Sequence, residues 1–312
     1  MKCLVTGGAG FIGSNLCEEL LKQGNYVVAI DDLSAGRLDN LDLCSENPSF
    51  RFVQLDVCGN LNKLFSTENF DVVFHLAARP RVQYSIENPV ETHNINVNGT
   101  LNVLDACRIY GVPRFVFSSS GSIYGDQEKL PYVETMEANP LSPYAFHKHV
   151  GEGYCNLFNF LYGTETVSLR YFNVYGKNMD PMGAYALLPG KVLYNFINDE
   201  KVMIYGTGEN TRDFTFVGDV VRANICAATT TNKEVFGQTF NVGAGDNKSV
   251  NYVVEVIRRL VGKGETVNAR ARLEPKDALA DFTKARMLLS WEPKTKFEDG
   301  IKTAYEYFNQ NK

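Results

Sequence analysis

The chain has 312 residues, 44% of them hydrophobic, and a formal net charge of −5. That length can bury one large or two modest cores, and the interspersed, mildly acidic charge argues against a nucleic-acid surface and for a small-molecule ligand. Seven cysteines lie outside any Cys-x-x-Cys or Cys/His ligand spacing, which predicts free thiols in a reducing, cytoplasmic setting and no metal site; no apolar run is long enough to span a bilayer.

The apolar run Cys3-Leu4-Val5 leads into Thr6-Gly7-Gly8-Ala9-Gly10-Phe11-Ile12-Gly13, after which Phe11, Ile12, Leu16, Leu20 and Leu21 recur at helical spacing. Strand, tight glycine turn, helix is the context that makes a glycine pattern a dinucleotide-binding candidate. Gly7 would turn the chain, Gly10 would admit a pyrophosphate, and Gly13 would let the helix pack on the strand. Free N–H groups at Phe11 and Ile12 would face the phosphates. The alternative is a turn that only lets a helix pack on a sheet.

Tyr26 to Ile30 reads as a buried strand ending at Asp31-Asp32. An acid there suits both ribose hydroxyls and repels a 2′-phosphate, which favours NAD over NADP. Arg37 could bind that phosphate or be a surface charge. Further strands are expected at Phe50–Leu55, ending at Asp56-Val57, at Val72–Leu76, ending at Ala77-Ala78, and at Arg114–Phe117, ending at Ser118-Ser119-Ser120. Asn96 to Tyr110 reads as a helix. Alternating strands and helices predict an α/β, Rossmann-type doubly wound parallel sheet, with its strand ends forming one cleft.

Ser142-Pro143 is a helix start, a cap followed by proline at the first position. Tyr144 and Lys148 then share a helix face. Val167–Tyr171 reads as a strand with Asn173 just beyond it. Lys177 to Gly190 has the glycine-, proline- and methionine-rich texture of a loop folding over a ligand. Tyr194–Ile197, Asp219–Ala228, Val250–Leu260, Thr283–Leu289 and Phe297–Phe308 read as helices, Val202–Tyr205 and Phe240–Gly243 as strands. The expected organisation is a cofactor domain over residues 1–175, rejoined by 213–242, with 176–312 forming a smaller, interleaved substrate region.

The chemistry rests on Ser120, Tyr144 and Lys148. A tyrosine titrates near about 10, and a lysine one turn away, together with an oxidised nicotinamide ring, would favour its phenolate. A drop of some 3 units needs roughly 4 kcal/mol. Ser120 can hydrogen-bond a substrate alcohol or carbonyl beside the tyrosine oxygen. Taken alone, each has a bland reading: an interfacial tyrosine, a solvated lysine, a serine-rich loop satisfying its own backbone. Together with the glycine cluster they specify hydride transfer at an alcohol carbon.

At this point the chain resembles a known family. Thr-Gly-Gly-Ala-Gly-Phe-Ile-Gly, Ser-Ser-Ser-x-x-x-Tyr-Gly, Ser-Pro-Tyr-x-x-x-Lys and Arg170-Tyr171-Phe172-Asn173-Val174-Tyr175-Gly176 look like extended short-chain dehydrogenases/reductases acting on nucleotide sugars. The resemblance implies NAD contacts at Asp31, Asp56, Ala77, Asn96, Tyr144, Lys148 and Tyr171, with Asp32, Val57, Leu76, Ala78 and Ser118 in the same strand ends. It implies substrate contacts at Ser120, Ser122, Asn173, Leu187 and Arg212, with the Met203–Tyr205 strand beside the base. Arg272 is a further phosphate candidate, although the glycine expected after it is missing. Homodimerisation through the Asn96–Tyr110 and Tyr144–Tyr162 helices is also implied.

Dehydratases of this family carry an Asp-Glu pair after the serine or threonine, and decarboxylases a Glu; here the stretch is Gly121-Ser122. The simplest chemistry left is 4-epimerisation of a UDP-sugar through a 4-keto intermediate, with tightly held NAD. The 176–185 segment resembles the branch that takes N-acetylated sugars, and Ala278 stands where strictly glucose/galactose enzymes carry a bulky Tyr, leaving room for a 2-acetamido group. The expected substrates are UDP-GlcNAc/UDP-GalNAc, with UDP-Glc/UDP-Gal also in range. Arg79-Pro80-Arg81 could instead serve a sugar carboxylate, making UDP-glucuronate the alternative, or be solvated loop charges. A different class, a non-catalytic NAD-binding sensor, is argued against by the intact Tyr144 and Lys148.

Overall fold

A computed structural model describes residues 1–181, 187–270 and 276–310. Among these, seven parallel strands form the central sheet: β1 (Lys2–Thr6), β2 (Tyr26–Asp31), β3 (Phe50–Gln54), β4 (Val72–His75), β5 (Arg114–Ser120), β6 (Glu165–Tyr171) and β7 (Gln238–Val242), in the order β3-β2-β1-β4-β5-β6-β7. The order reverses beside β1, so β1 and β4 diverge into their connections and leave a crevice at their carboxyl ends.

Strand side chains alternate between two cores. Cys3 and Val5 face a layer containing helix α1 (Phe11–Lys22), whereas Leu4 faces the opposite layer, with α2 (Thr100–Ile109) and α3 (Pro143–Tyr162). A third core joins α4 (Leu188–Ile197), α6 (Val250–Val261) and α7 (Phe297–Gln310), while α5 (Val217–Thr229) returns to the α1 side of the sheet. Two short pairs complete the smaller region: Val202–Tyr205 runs parallel to Thr266–Ala269, and Thr211–Asp213 antiparallel to Asn247–Ser249. The doubly wound α/β sheet is the one the strand-helix alternation predicts. No described helix is long and apolar enough to cross a membrane.

Helix ends follow local chemistry. Ser142 Oγ accepts the Ala145 N–H at 3.2 Å, Pro143 occupies the first turn, and Gly163 at φ +70° stops α3. The expected Asn96–Tyr110 helix differs: its first turn, Asn94–Gly99, is π-helical before α2 begins. The wider turn delivers Asn96 to the backbone of Arg79, as described below. Helix α4 is also longer than the sequence pattern indicates, beginning at Leu188-Pro189.

Gly151, inside α3, sits against the sheet, and a Cβ there would lie 2.4 Å from Phe117 Cζ. Gly151→Ala should therefore destabilise the protein by about 1–3 kcal/mol through overpacking, despite alanine's helix advantage of about 1 kcal/mol. A melting temperature raised by the substitution would contradict this packing.

Candidate active site

The cleft at the strand ends is a single open cavity of about 1720 Å³. Its walls include Gly7, Gly10, Phe11, Ile12 and Gly13 at one end and Ser120, Ser122, Tyr144, Asn173, Arg212 and Ala278 at the other. Asp31, Asp32, Asp56, Val57, Leu76, Ala77, Ala78, Ser118, Lys148, Tyr171 and Leu187 also line it. The predicted residues thus converge from the carboxyl ends of β1 to β6, from helices α1 and α3 and from the smaller region.

The glycine end fits a dinucleotide. Gly7 has φ +69°, and a Cβ on it would lie 2.8 Å from the Ala77 nitrogen; one on Gly13 would lie 2.1 Å from the Gly7 carbonyl oxygen. No side chain caps the start of α1 and its first turn holds no acid, which leaves its N–H groups and positive dipole end to an anion. The Asp31 carboxylate accepts N–H bonds from Ala9 (3.1 Å) and Leu33 (2.9 Å). Burial raises its pKa, against those two donors. Asp32 is turned to its own loop, accepting from the Ser34 N–H at 3.0 Å.

Behind this end runs a hydrogen-bond chain that the sequence pattern did not reveal. Leu76 and Ala77 N–H groups both donate to Thr6 Oγ1 at 3.2 Å, and Thr6 Oγ1 meets His75 Nδ1 at 2.8 Å. His75 Nε2 meets Thr100 Oγ1 at 2.9 Å, which donates to the Asn96 carbonyl at 2.7 Å. Only one proton order satisfies every group: Thr6 donates to Nδ1, and Nε2–H donates to Thr100. His75 is therefore neutral, its pKa lowered to about 3 by burial and then by Lys148. A histidine closing a strand at the cleft was the available signal.

Three predicted positions lie elsewhere. Asn96 is buried behind the wall, its Oδ1 accepting from the Arg79 N–H (2.7 Å) and its Nδ2 donating to the Arg79 carbonyl (3.2 Å). It shapes the cofactor loop rather than lining the cleft. Met203 and Tyr205 are outside the described walls, because Val202 and Ile204 turn into the third core and Met203 outward. Arg272 lies outside the described residues, as does the part of the 176–185 segment beyond Pro181. The Arg79 and Arg81 cations are engaged: Arg79 with Glu91 at 3.5 Å and with the Ser34 hydroxyl, and Arg81 with Asp180 at 2.9 Å.

At the other end Lys148 Nζ donates to the Ser118 carbonyl at 2.6 Å, and burial lowers its pKa to about 8. Ser120 and Ser122 hydroxyls meet at 2.9 Å. Burial raises the Tyr144 pKa, with the Ser120 hydroxyl opposing. Lys148 thus donates to a carbonyl of the neighbouring strand, and burial of the Tyr144 ring favours its protonated form, so the lysine and the oxidised nicotinamide ring expected from sequence would both have to work against that burial. Arg212 Nη1 donates to the Thr211 and Lys276 carbonyls at 2.8 and 3.1 Å, and Asn173 Nδ2 to the Asp213 carbonyl at 3.1 Å. Tyr132 and Phe172, not singled out from sequence, form the aromatic wall beside Ala278.

A dinucleotide-binding sheet that brings serine, tyrosine and lysine to one cleft defines the extended short-chain dehydrogenase/reductase class. The chain belongs to the NAD dependent epimerase/dehydratase family, whose model matches residues 3–243. It is similar to a putative UDP-glucose 4-epimerase of Methanocaldococcus jannaschii, at 38% identity over 99% of this chain and 98% of the relative. A solved UDP-N-acetylglucosamine 4-epimerase from Methanobrevibacter ruminantium, in complex with UDP-N-acetylmuramic acid, superposes with a TM-score of 0.94 at 32% identity, covering 100% of this chain and 99% of that one. A UDP-glucuronic acid 4-epimerase from Bacillus cereus, in complex with UDP-glucuronic acid and NAD, gives 0.92 at 32% identity, covering 100% of each. The chain is an NAD-dependent enzyme of this family.

Neutral burial of His75 sets a pH dependence. Its folded pKa of about 3 lies below the unfolded value, so stability is complete above about pH 6.5 and lost as pH falls. His147, lowered to about 4 by burial, adds in the same window, while Asp213, raised to about 6 by burial, opposes both. Thermal melting should fall between about pH 6.5 and 4, with a shallower slope in His75→Gln. An unchanged slope in that variant would remove His75 as the cause.

Proposed function

We propose that the protein is a UDP-sugar 4-epimerase acting on UDP-GlcNAc/UDP-GalNAc and, more loosely, on UDP-Glc/UDP-Gal. The observation carrying the choice of reaction is the missing acid beside Ser120. A Cβ on Gly121 would lie 2.9 Å from the Phe172 ring, so a side chain there would have to displace it, and the Ser122 hydroxyl is bonded to Ser120. The carboxylates among the described walls are Asp31, Asp32, Asp39, Asp42, Asp56 and Asp180, toward the glycine end and the 176–181 loop. Elimination of water needs a further acid-base group beside the sugar in addition to Tyr144, and the described walls there hold no carboxylate.

In the proposed mechanism Arg212 and Asn173 hold the diphosphate. Ser120 accepts or donates a hydrogen bond at the sugar O4, and Tyr144 takes the O4 proton and later returns it. Bound NAD supplies a reversible two-electron acceptor at C4. Lys148 holds the Ser118 carbonyl and adds positive charge beneath the tyrosine. Between half-reactions the 4-keto sugar presents its other face, for which the wide cavity leaves room. The assignment of cofactor contacts to 1–175 with 213–242, and of substrate contacts mainly to 176–312, belongs to the same proposal, supported by β7 joining the sheet.

Ala278, small and beside the Tyr132–Phe172 wall, supports the N-acetylated substrate. The uronate alternative rested on Arg79 and Arg81, and their pairing with Glu91, Ser34 and Asp180 weakens it. Following UDP-GlcNAc by NMR should show interconversion with UDP-GalNAc, and Tyr144→Phe should lower kcat by at least about 100-fold while sparing cofactor binding. Unchanged UDP-GlcNAc alongside turnover of UDP-glucuronate would select the alternative; a wild-type rate in Tyr144→Phe would reject the base.

We also propose that a second copy of the chain covers one exposed apolar stripe. Phe146, Leu157, Phe160 and Leu161 lie along one side of α3, with Phe160 83% exposed, and Ile109 of α2 lies alongside. A Cβ on Gly153, on the same stripe, would touch nothing within 4 Å. An unpaired helix face of this kind marks an association surface, and a two-fold copy is self-complementary to it. Light scattering should give a dimer and Phe160→Glu a monomer; a monomeric wild type would end the idea.

A further inference from the structure

A charged pair lies in the interior directly behind the cleft, outside the chemistry proposed above. Tyr144, Lys148 and Glu152 follow one another at four-residue steps along α3 and so share one face. Arg170 stands on β6, in register with Ser119 of β5. Its Nε donates to Glu152 Oε1 at 2.8 Å and its Nη2 to Oε2 at 2.7 Å, a two-pronged match of guanidinium to carboxylate. Ser119 Oγ donates to the same Oε1 at 2.5 Å. Both charged side chains are 7% exposed.

These contacts divide the end of β5 residue by residue. The Ser118 carbonyl takes the Lys148 ammonium, Ser119 is held by Glu152, and Ser120 is left facing the cleft. Arg170 extends the connection to the sugar wall. Its guanidinium lies 4.7 Å from the Tyr124 ring, and the Tyr124 hydroxyl donates to Asn241 Oδ1 at 2.7 Å. Asn241 Nδ2 in turn donates to the Tyr132 and Asp281 carbonyls at 2.9 and 3.1 Å, on either side of the Ala278 wall. Helix, serine strand and wall thus meet in one connected network, joined by hydrogen bonds and, between Arg170 and Tyr124, by a ring contact.

A buried ion pair is a poor way to gain stability, because desolvation consumes most of the attraction and an apolar pair of equal volume does as well. Its distinct property is direction: four oxygen and nitrogen atoms fix the depth and rotation of α3 against two strands. We propose that Glu152, clamped by Arg170, is a positioning residue for the Ser120–Tyr144–Lys148 set. The proposal rests on that set being the reacting groups.

Several charges face the pair. Lys148, His149 (Nδ1 at 3.9 Å) and Cys155 approach Glu152 from α3, Ser119 from β5 and Arg170 from β6; Glu134 and Lys284 approach Arg170 from beyond, with Tyr124 beneath it. Burial pulls the Lys148 pKa down, while Cys155 and then the Glu152 charge hold it up. Burial alone would raise the Glu152 carboxyl, but Arg170, His149 and Ser119 outweigh it and hold it below its ordinary value. Removing that charge without changing shape should let Lys148 lose its proton at lower pH.

The test uses NAD-loaded enzyme and its UDP-sugar, with kcat and KM measured from about pH 5.5 to 10. Glu152→Gln should lower kcat by about 10- to 100-fold, leave KM within about 3-fold, and move the alkaline limb of the kcat profile down by about one unit. Glu152→Asp, which keeps the charge at a shorter reach, should lower kcat but leave that limb in place. Ser119→Ala, which spares the ion pair, should lower kcat by about 3- to 10-fold with the limb unmoved. A folded Glu152→Gln with wild-type kcat and profile would overturn the proposal, as would a loss matching only its unfolded fraction. Should that variant not fold, wild-type kcat in Ser119→Ala would overturn it. Failure of the epimerase reading looks different: wild-type enzyme would turn over no UDP-sugar at any pH.

Discussion

The whole site depends on how closely α1 approaches the end of β1. Gly13 sits where any Cβ would lie 2.1 Å from the Gly7 carbonyl oxygen, and Gly7 where one would lie 2.8 Å from the Ala77 nitrogen. Without side chains at these points, helix, strand and the loop after β4 close on one another. That closure puts the uncapped helix start, the Asp31 carboxylate and the Ala77-Ala78 loop on one wall. The Thr6–His75–Thr100 chain then locks the wall from behind with a neutral histidine.

At the other end the electrostatics run against the chemistry in the ligand-free cleft. Burial pushes Tyr144 up and Lys148 down, so both groups lean toward their neutral forms. Charge inside a buried cleft is costly without a partner. Lys148 also holds the Ser118 carbonyl at the end of β5. The Glu152–Arg170 pair extends the same logic, fixing the geometry of the reactive groups from a layer that touches neither substrate nor cofactor.

Charges at the mouth are equally revealing. Arg79-Pro80-Arg81 looks in sequence like an anion trap, yet the structure spends both cations on the protein itself. Arg81 reaches Asp180 across the opening, and Asn178 and Lys177 bind the Ser14 hydroxyl and Glu18 on α1. The 176–181 loop is thereby stitched over the cofactor end from both sides. A cofactor that must return what it takes from the same sugar gains from such a cover.

Much of this was legible in order along the chain, because it is local. A glycine turn between strand and helix, an acid closing the second strand, Ser-Pro before Tyr-x-x-x-Lys and the periodicities of α1, α3 and α6 are set by neighbours within a few residues. They specified the sheet, its glycine turn and the Ser120, Tyr144 and Lys148 side chains that line the cleft. Non-local geometry decided the rest. Asn96 was assigned to the cofactor and instead supports Arg79, since a π turn changed its direction. Met203 and Tyr205 were placed on a substrate strand, and core burial of Val202 and Ile204 turned that face away. His75 and Glu152 carry no short motif, Arg170 enters only through the family resemblance, and the partners in these bonds lie 18 to 69 residues off in sequence. Sequence alone determined which chemistry the chain can hold, because that chemistry follows from residue types at helical and strand spacing. Only the tertiary structure decided how the groups are charged and aimed, because burial and distant partners set both.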